Sequence, residues 1–215
     1  TAVTGQAVIL DRSVFYCRGG GQPGDTGEFM LPGGRSVKVA DTVAQAETGE
    51  QLHVIAEGEV LPEVGEEVLA RIDWDRRYRF MRMHSCMHML CAVIDAPVTG
   101  GSVSDGRARL DFDLPDPVDK TKVTEALNEM IRRDRPRHFR WITDAEMEAQ
   151  PELVRTMSVS PPSGQGRVRL VEFEGIDLQP CGGTHVARSG EIGEVRVSKI
   201  EKKGKQNRRV IVEFA

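Results

Sequence analysis

Two pairs of metal-capable side chains are set at the same spacing in the 215-residue sequence. The stretch "MRMHSCMHMLCAVI" carries His84 and His88 four residues apart in an apolar run. Nearly a hundred residues later, "QPCGGTHVA" carries Cys181 and His185, again four apart. On a helix, residues four apart face the same way, with about 5–6 Å between their Cβ atoms. Two imidazoles so placed can reach one tetrahedral ion at about 2.0–2.1 Å from each nitrogen. Without such a partner, each ring brings a polar nitrogen that burial would leave unmatched. Cys181 and His185 alone read either as a buried thiol beside a structural histidine or as ligands that Gly182 and Gly183 allow to converge. Taken together, the halves use three of the five histidines and point to one Zn²⁺ site formed by His84, His88, Cys181 and His185. Mixed nitrogen and sulfur ligation favours zinc over harder ions. Ser85, not Glu, follows His84, so the general base of the zinc-protease motif is missing.

The elements that must position these residues fall into two blocks. In the first seventy residues, short apolar alternations ("QAVIL", "VFY", "GEFML", "RSVKVADTV", "LHVIAEG", "EEVLARID") are broken by Gly/Pro clusters, as in a small barrel or sandwich. From Trp74 to Ile94 there is no Gly or Pro, and Phe80, Met83, Met87, Leu90 and Ile94 recur at helical steps. That spacing predicts an amphipathic helix, ended by "APVTGG". A hairpin around Asp105-Gly106 follows, then a helix capped by Asp119 and stopped before Pro136. "RHFRWIT" and "RVRLVEFEG" read as strands, "DAEMEAQ" as a short helix, and "CGGTH" as a tight turn. A long hairpin with a basic tip closes the chain. The expected fold is α+β: a small antiparallel β-barrel-like domain over 1–72, then an α+β zinc-containing domain over 73–215. Trp74 and Trp141 read as core residues rather than base-stacking platforms, and His53 and His138 as structural or exposed.

Hydrophobic residues make up 39% of the chain and charged residues 29%, which is ordinary for a globular protein. There is no apolar run long enough to span a membrane, and "TAVTGQAVIL" lacks the features of a signal peptide, so a cytoplasmic location is expected. Four irregularly spaced cysteines suit reduced thiols or a metal ligand better than a disulfide framework. A net charge of −4 argues against coating nucleic acid by bulk electrostatics. The cations are clustered, however: Arg71, Arg76, Arg77, Arg79 and Arg82; Arg132, Arg133, Arg135, Arg137 and Arg140; Lys199, Lys202, Lys203, Lys205, Arg208 and Arg209. One such cluster reads as a solvated face; three suggest phosphate contact.

"HSCMH", then "GGSVSDGRARLDFD", then "CGGTHVARSGEIGEVRVSKIEKKGKQNRRV" together resemble the editing domain of alanyl-tRNA synthetase and its free-standing AlaX relatives. "VFYCRGGGQPGDTGEF" is similar to the Gly-rich segment of the medium-length AlaX class. The resemblance implies hydrolysis of the ester that joins a wrong amino acid, serine or glycine, to alanine tRNA, with His84, His88, Cys181 and His185 as zinc ligands. Met87 stands where the synthetase usually has threonine, and Thr99 where glutamine often precedes the following loop; both changes bear on substrate choice.

An aminoacyl ester is already activated, so position and a water matter more than a strong nucleophile. Zinc would either lower the pKa of a bound water or hold the substrate for attack by another water. Thr99 and His185 are the expected catalytic residues, with His185 as the ligand most readily released from its Gly-flanked turn. The Thr99 hydroxyl is either a partner for the serine hydroxyl, rejecting alanine by leaving polar groups unpaired, or a loop residue without a role; Thr184 carries the same two readings. "RGGGQPGDTGEF" lacks the lysine and following helix of a phosphate loop. Its Gly21, Gln22 and Asp25 are expected near the substrate, touching the terminal adenosine or bracing the zinc turn, unless the loop is purely architectural. Arg77, Arg79, Lys202, Lys203 and Lys205 are the expected tRNA contacts. The rival readings are a non-catalytic tRNA-binding module with structural zinc and an editing hydrolase for another aminoacyl-tRNA, such as the threonyl type.

Overall fold

The computed structural model describes residues 6–157 and 166–215; the expected loop "PPSGQG" lies mostly outside them. The fold is α+β, with antiparallel pairing throughout its three sheets. It divides into two compact units, Thr1–Tyr78 and Arg79–Ala215.

The first unit holds strands β1 (Ala7–Val8), β2 (Gly27–Met30), β3 (Ser36–Ala44), β4 (Gln51–Ile55) and β5 (Leu69–Ile72) in the order β1-β4-β3-β2-β5. Among the described residues no pairing joins β1 to β5, so the sheet is open rather than a closed barrel. Alternation along β3 turns Val37 and Val39 inward, where they meet Phe15, Phe29, Leu31 and Ile55. His53 is fully buried between the rings of Phe15 and Phe29. Its Nδ1 lies 3.0 Å from the Val8 carbonyl and its Nε2 2.7 Å from Ser13 Oγ. The carbonyl can only accept, so Nδ1 carries the proton and Nε2 accepts from the serine.

The Gly-rich segment is built into this unit by close backbone approach. A Cβ on Gly24 would stand 2.1 Å from the Thr42 carbonyl oxygen, and one on Gly27 2.1 Å from that of Arg71. Gly19 and Gln22 exchange backbone hydrogen bonds across the exposed Gly20-Gly21 turn. Asp25 is 1% exposed; it accepts the Tyr16 amide at 2.7 Å and pairs with the Arg77 guanidinium through both carboxylate oxygens. Arg77 also donates to the Val14 carbonyl. These two residues, expected at the substrate and on tRNA, are instead spent on each other, because a buried carboxylate needs a bidentate cation.

The second unit carries helix α1 (Trp74–Val93, beginning in the first unit), β6 (Val98–Ser104), β7 (Arg107–Asp113), α2 (Lys120–Arg132), β8 (Arg137–Ile142), α3 (Asp144–Glu148), β9 (Val168–Phe173), β10 (Asp177–Pro180), β11 (Val195–Lys202) and β12 (Asn207–Phe214). Its sheets run β11-β12-β7-β6 and β10-β9-β8. Asp73 caps α1 by accepting the Arg76 amide, and Asp119 caps α2 through Thr121 and Lys122. Helix α2 covers the edge strand β11: Asn128 bonds both backbone groups of Val195, and Thr124 Oγ1 accepts the Val197 amide. Helix α1 is not amphipathic where it matters. Every residue from Met83 to Cys91 is buried, so this half is enclosed on all sides and carries His84 and His88 into the interior.

Burial pushes the His53 pKa below its usual value, with the Val8 hydrogen bond acting in the opposite sense. The folded state therefore binds fewer protons than the unfolded one just below pH 6.5. Stability from this site is complete above that pH and is lost as pH falls toward the folded pKa, at up to about 1.4 kcal/mol per pH unit. Titration of the His53 ring by NMR should show a midpoint below 6.5, and His53→Gln should flatten that part of the urea-stability profile; a midpoint at or above 6.5 would contradict the assignment.

Candidate metal centre

Helix α1 presents His84 and His88 one turn apart, with ring centroids separated by 5.9 Å. The segment after β10 returns Cys181 and His185 to the same place. The His185 ring lies 4.5 Å from that of His84 and 4.6 Å from that of His88. One donor atom from each of the four residues falls within 4.8 Å of the others. Cys181 Sγ is 3.5 Å from His84 Nε2 and 3.3 Å from His185 Nε2. A tetrahedron with metal–nitrogen bonds of about 2.0–2.1 Å and a metal–sulfur bond of about 2.3 Å has N···S edges of about 3.5 Å. The donor set therefore fits a four-coordinate metal ion. The structure brings together all four residues expected to ligate.

The turn is shaped by one glycine rather than two. A Cβ on Gly183 would sit 1.9 Å from His84 Cε1, whereas Gly182 has nothing within 4 Å. The backbone at Gly183 thus occupies the space beside the histidine ring that any side chain would fill. Arg169 Nε donates to the Cys181 carbonyl at 2.8 Å and its Nη2 donates to the Gly183 carbonyl, fastening both ends of the turn to β9. The Gly183 amide reaches Cys181 Sγ at 3.4 Å.

His88 and His185 are also held from outside. His88 Nδ1 lies 2.8 Å from Asp177 Oδ2, and Gln179 Nε2 donates to the same oxygen at 2.8 Å. The carboxylate fixes the proton on Nδ1 and turns the Nε2 lone pair inward. His185 Nδ1 lies 3.2 Å from Ser85 Oγ, which also accepts the Val186 amide. Sequence reasoning missed Ser85, Asp177, Gln179 and Arg169. A signal for part of the set was present: on a strand, "DLQPC" puts Asp177, Gln179 and Cys181 on one side by period-two alternation.

Burial alone would raise the Cys181 thiol; His84 and His185 override it and hold the thiol well below its usual value. For His88, burial acts downward, but Asp177 and Cys181 carry the ring up to about 10. Burial takes His185 down to about 3, with His84 and His88 adding to the effect and Cys181 opposing it. Thiolate sulfur and neutral imidazole are the forms that bind metal, so an ion bound at His88 would displace the second proton that Asp177 and Cys181 favour on that ring. The three histidines are at most 4% exposed, while Cys181 is half-buried as a residue, which makes it the least enclosed member of the cluster. His185, expected as the ligand most easily released, has both ring nitrogens engaged in the core.

The other expected residues are distributed differently. Thr99 Oγ1 donates to the Asp111 carbonyl and accepts from Asn207 Nδ2 at 2.6 Å, which ties it to the four-stranded sheet. Thr184 is half-buried within the metal turn. Arg79 pairs with Asp105 at 2.6 Å. Lys202, Lys203 and Lys205 are exposed around the tip of the β11–β12 hairpin, with Lys203 paired to Glu201.

Removing an outer partner leaves the ligands in place but loosens the centre. Asp177→Asn should weaken metal affinity about 10- to 100-fold in competition against a chromogenic chelator. Gly183→Ala should cut bound metal far more severely, since it displaces His84 itself. Near-stoichiometric metal in purified Gly183→Ala would refute the packing argument.

Residues 168–211 match the family model of the threonyl and alanyl tRNA synthetase second additional domain, and residues 1–76 match class II (A) tRNA synthetases. An alanyl-tRNA editing protein AlaX-M of Saccharolobus solfataricus is 37% identical over 213 residues, covering 97% of this chain and 89% of that protein. The AlaX-M of Methanosarcina mazei is 36% identical over 218 residues, covering 96% of this chain and 86% of that protein. An alanine–tRNA ligase of Pyrobaculum calidifontis is 34% identical over 212 residues, covering 93% of this chain but only 23% of the ligase. With this identity sustained over nearly the full length of both partners, the chain belongs to the AlaX-M family of alanyl-tRNA editing proteins.

Proposed function

We propose that this chain hydrolyses the ester of alanine tRNA mischarged with serine or glycine, using Zn²⁺ held by His84, His88, Cys181 and His185. The observation that carries the reading is the convergence of two imidazole nitrogens from α1 with a thiolate and a third imidazole from the Gly183 turn. The N₃S donor set is borderline-soft and tetrahedral, which favours zinc over calcium or magnesium. Bound there, zinc supplies a fixed positive charge that can orient an amino or hydroxyl group and polarise the ester carbonyl.

The chain's own residues do the rest. Asp177, Gln179, Ser85 and Arg169 keep the ligands aimed, so little reorganisation accompanies substrate binding. Thr184, half-buried in the same turn as Cys181 and next to His185, is the candidate for meeting the incoming aminoacyl group. The fixed Thr99 hydroxyl is the weaker candidate for substrate selection, because Asp111 and Asn207 already engage it. Lys202, Lys203 and Lys205, with Arg79, would meet backbone phosphate.

A second reading, a tRNA-binding module with structural zinc, draws on the closed four-donor shell and the deep burial of the three histidines. Deacylation separates the two. Seryl-, glycyl- and alanyl-tRNA for alanine, and seryl-tRNA for threonine, should be compared with and without a chelator. Hydrolysis of seryl- or glycyl- in preference to alanyl-tRNA is expected, with loss by a factor on the order of 10² or more on chelation and in His84→Ala or Cys181→Ala. Retained tRNA binding without hydrolysis would establish the module. Reversing Lys202, Lys203 and Lys205 to glutamate should weaken tRNA binding and flatten its salt dependence while bound metal stays constant; an unchanged salt slope would remove the hairpin tip from the interface.

A further inference from the structure

Strand β8 is an edge strand with two unlike faces. His138 and Arg140 point one way and pair with Glu174 and Glu172. Arg137, Phe139 and Trp141 point the other way. Phe139 is 44% exposed and Trp141 56% exposed, so the expectation that Trp141 belongs to the core is overturned. The Arg137 guanidinium lies 3.7 Å over the Phe139 ring and that of Arg169 4.7 Å from it; Arg167 lies 4.8 Å over Trp141. Among the described residues none of these three guanidiniums is ion-paired with a carboxylate.

Register carries this face to the metal centre. Phe139 is opposite Val171 and Trp141 opposite Arg169 on β9; Val171 is opposite Gln179 and Phe173 opposite Asp177 on β10. Directly opposed residues share a face. The exposed aromatics therefore lie on the side of the sheet that holds Asp177 and Gln179, two strand spacings or about 10 Å away. Phe173, between them, has its ring 6.1 Å from His88 and 6.3 Å from His185. Arg169 joins the two regions directly, stacking on Phe139 while donating to the Cys181 and Gly183 carbonyls.

We propose that Phe139 and Trp141, with Arg137, Arg167 and Arg169, form a stacking platform for the unpaired bases at the 3′ end of the tRNA whose ester is presented to the metal centre. Unstacked bases are held on aromatic rings and guanidinium planes, and unpaired cations beside them meet the phosphates. The charge suits this occupant: Glu172 and Glu174 are taken up by cations of the opposite face, and Asp177, on this face, is buried against His88 and Gln179. The proposal rests on the reading of the chain as an aminoacyl-tRNA hydrolase, and its test does not depend on hydrolysis.

In a Trp74→Phe background, Trp141 is the sole tryptophan and its fluorescence reports on the platform. A four-nucleotide RNA ending in CCA should quench it saturably, and the same backbone with abasic sugars should bind at least about tenfold more weakly. Phe139→Leu with Trp141→Leu, apolar but not aromatic, should raise the KM for full-length mischarged tRNA on the order of tenfold, whereas Phe139→Tyr with Trp141→Tyr should restore it; metal content should be equal in all. Equal affinity for the abasic strand, or an unchanged KM in the leucine pair, would overturn the platform. So would RNA-independent quenching that rises with protein concentration, since a second copy of the chain would then occupy the face. Base-dependent quenching without any ester hydrolysis would support the platform while removing the proposed activity.

Discussion

The structure is organised around the need to take three imidazoles and a thiol out of water together. A buried polar group left unmatched costs about 1–3 kcal/mol, and a domain's whole stability is only about 5–15 kcal/mol. Several unmatched nitrogens at one place would consume much of it. His88 and His185 are therefore satisfied twice, inward toward the shared donor cluster and outward toward their own supports. His88 has Asp177 and Gln179 behind it, His185 has Ser85, and the space beside His84 is the missing Cβ of Gly183. This requirement explains why α1 is buried all round from Met83 to Cys91. A one-sided helix could not enclose ligands whose partners come from β9, β10 and the turn beyond.

The ligands were legible because their spacing is local: a helical i, i+4 pair and a Gly-rich Cys/His turn. Caps at Asp119 and the Asp105-Gly106 hairpin were legible for the same reason, since each is decided within four residues. The supporting shell was not. Ser85 drew notice only as the absence of a glutamate, and its bond to His185 spans 100 positions of sequence. Asp177 and Gln179 read as ordinary polar residues until the strand pairing sets them behind His88. Only the alternation running into Cys181 hinted that they share its side.

The Gly-rich segment illustrates a different limit. Its composition allowed a substrate loop or a structural one, and no local rule separates the two. The distinction lies in what approaches the glycines. At Gly24 and Gly27 the neighbour is backbone, the carbonyls of Thr42 and Arg71, at distances no side chain tolerates. Asp25, between them, is matched by Arg77. A run of arginines thus contained one whose charge is internal to the fold, and counting cations in a sequence stretch overstated what it offers to a phosphate.

Net charge misleads in the same way, and β8 shows why. The formal charge of −4 averages over faces that the fold keeps apart. Strand alternation sends His138 and Arg140 toward Glu174 and Glu172, neutralising one side of the sheet. Arg137, together with Arg167 and Arg169, stands on the other beside two exposed rings. An acidic protein can therefore present a locally cationic, aromatic surface, provided that its carboxylates are satisfied elsewhere. The period-two register that makes this separation also fixes the face on which it occurs, which is the one bearing the metal ligands' supports. Charge, stacking surface and site geometry are consequences of one pairing register, and a one-residue slip of β8 would exchange the aromatic face for the ion-paired one.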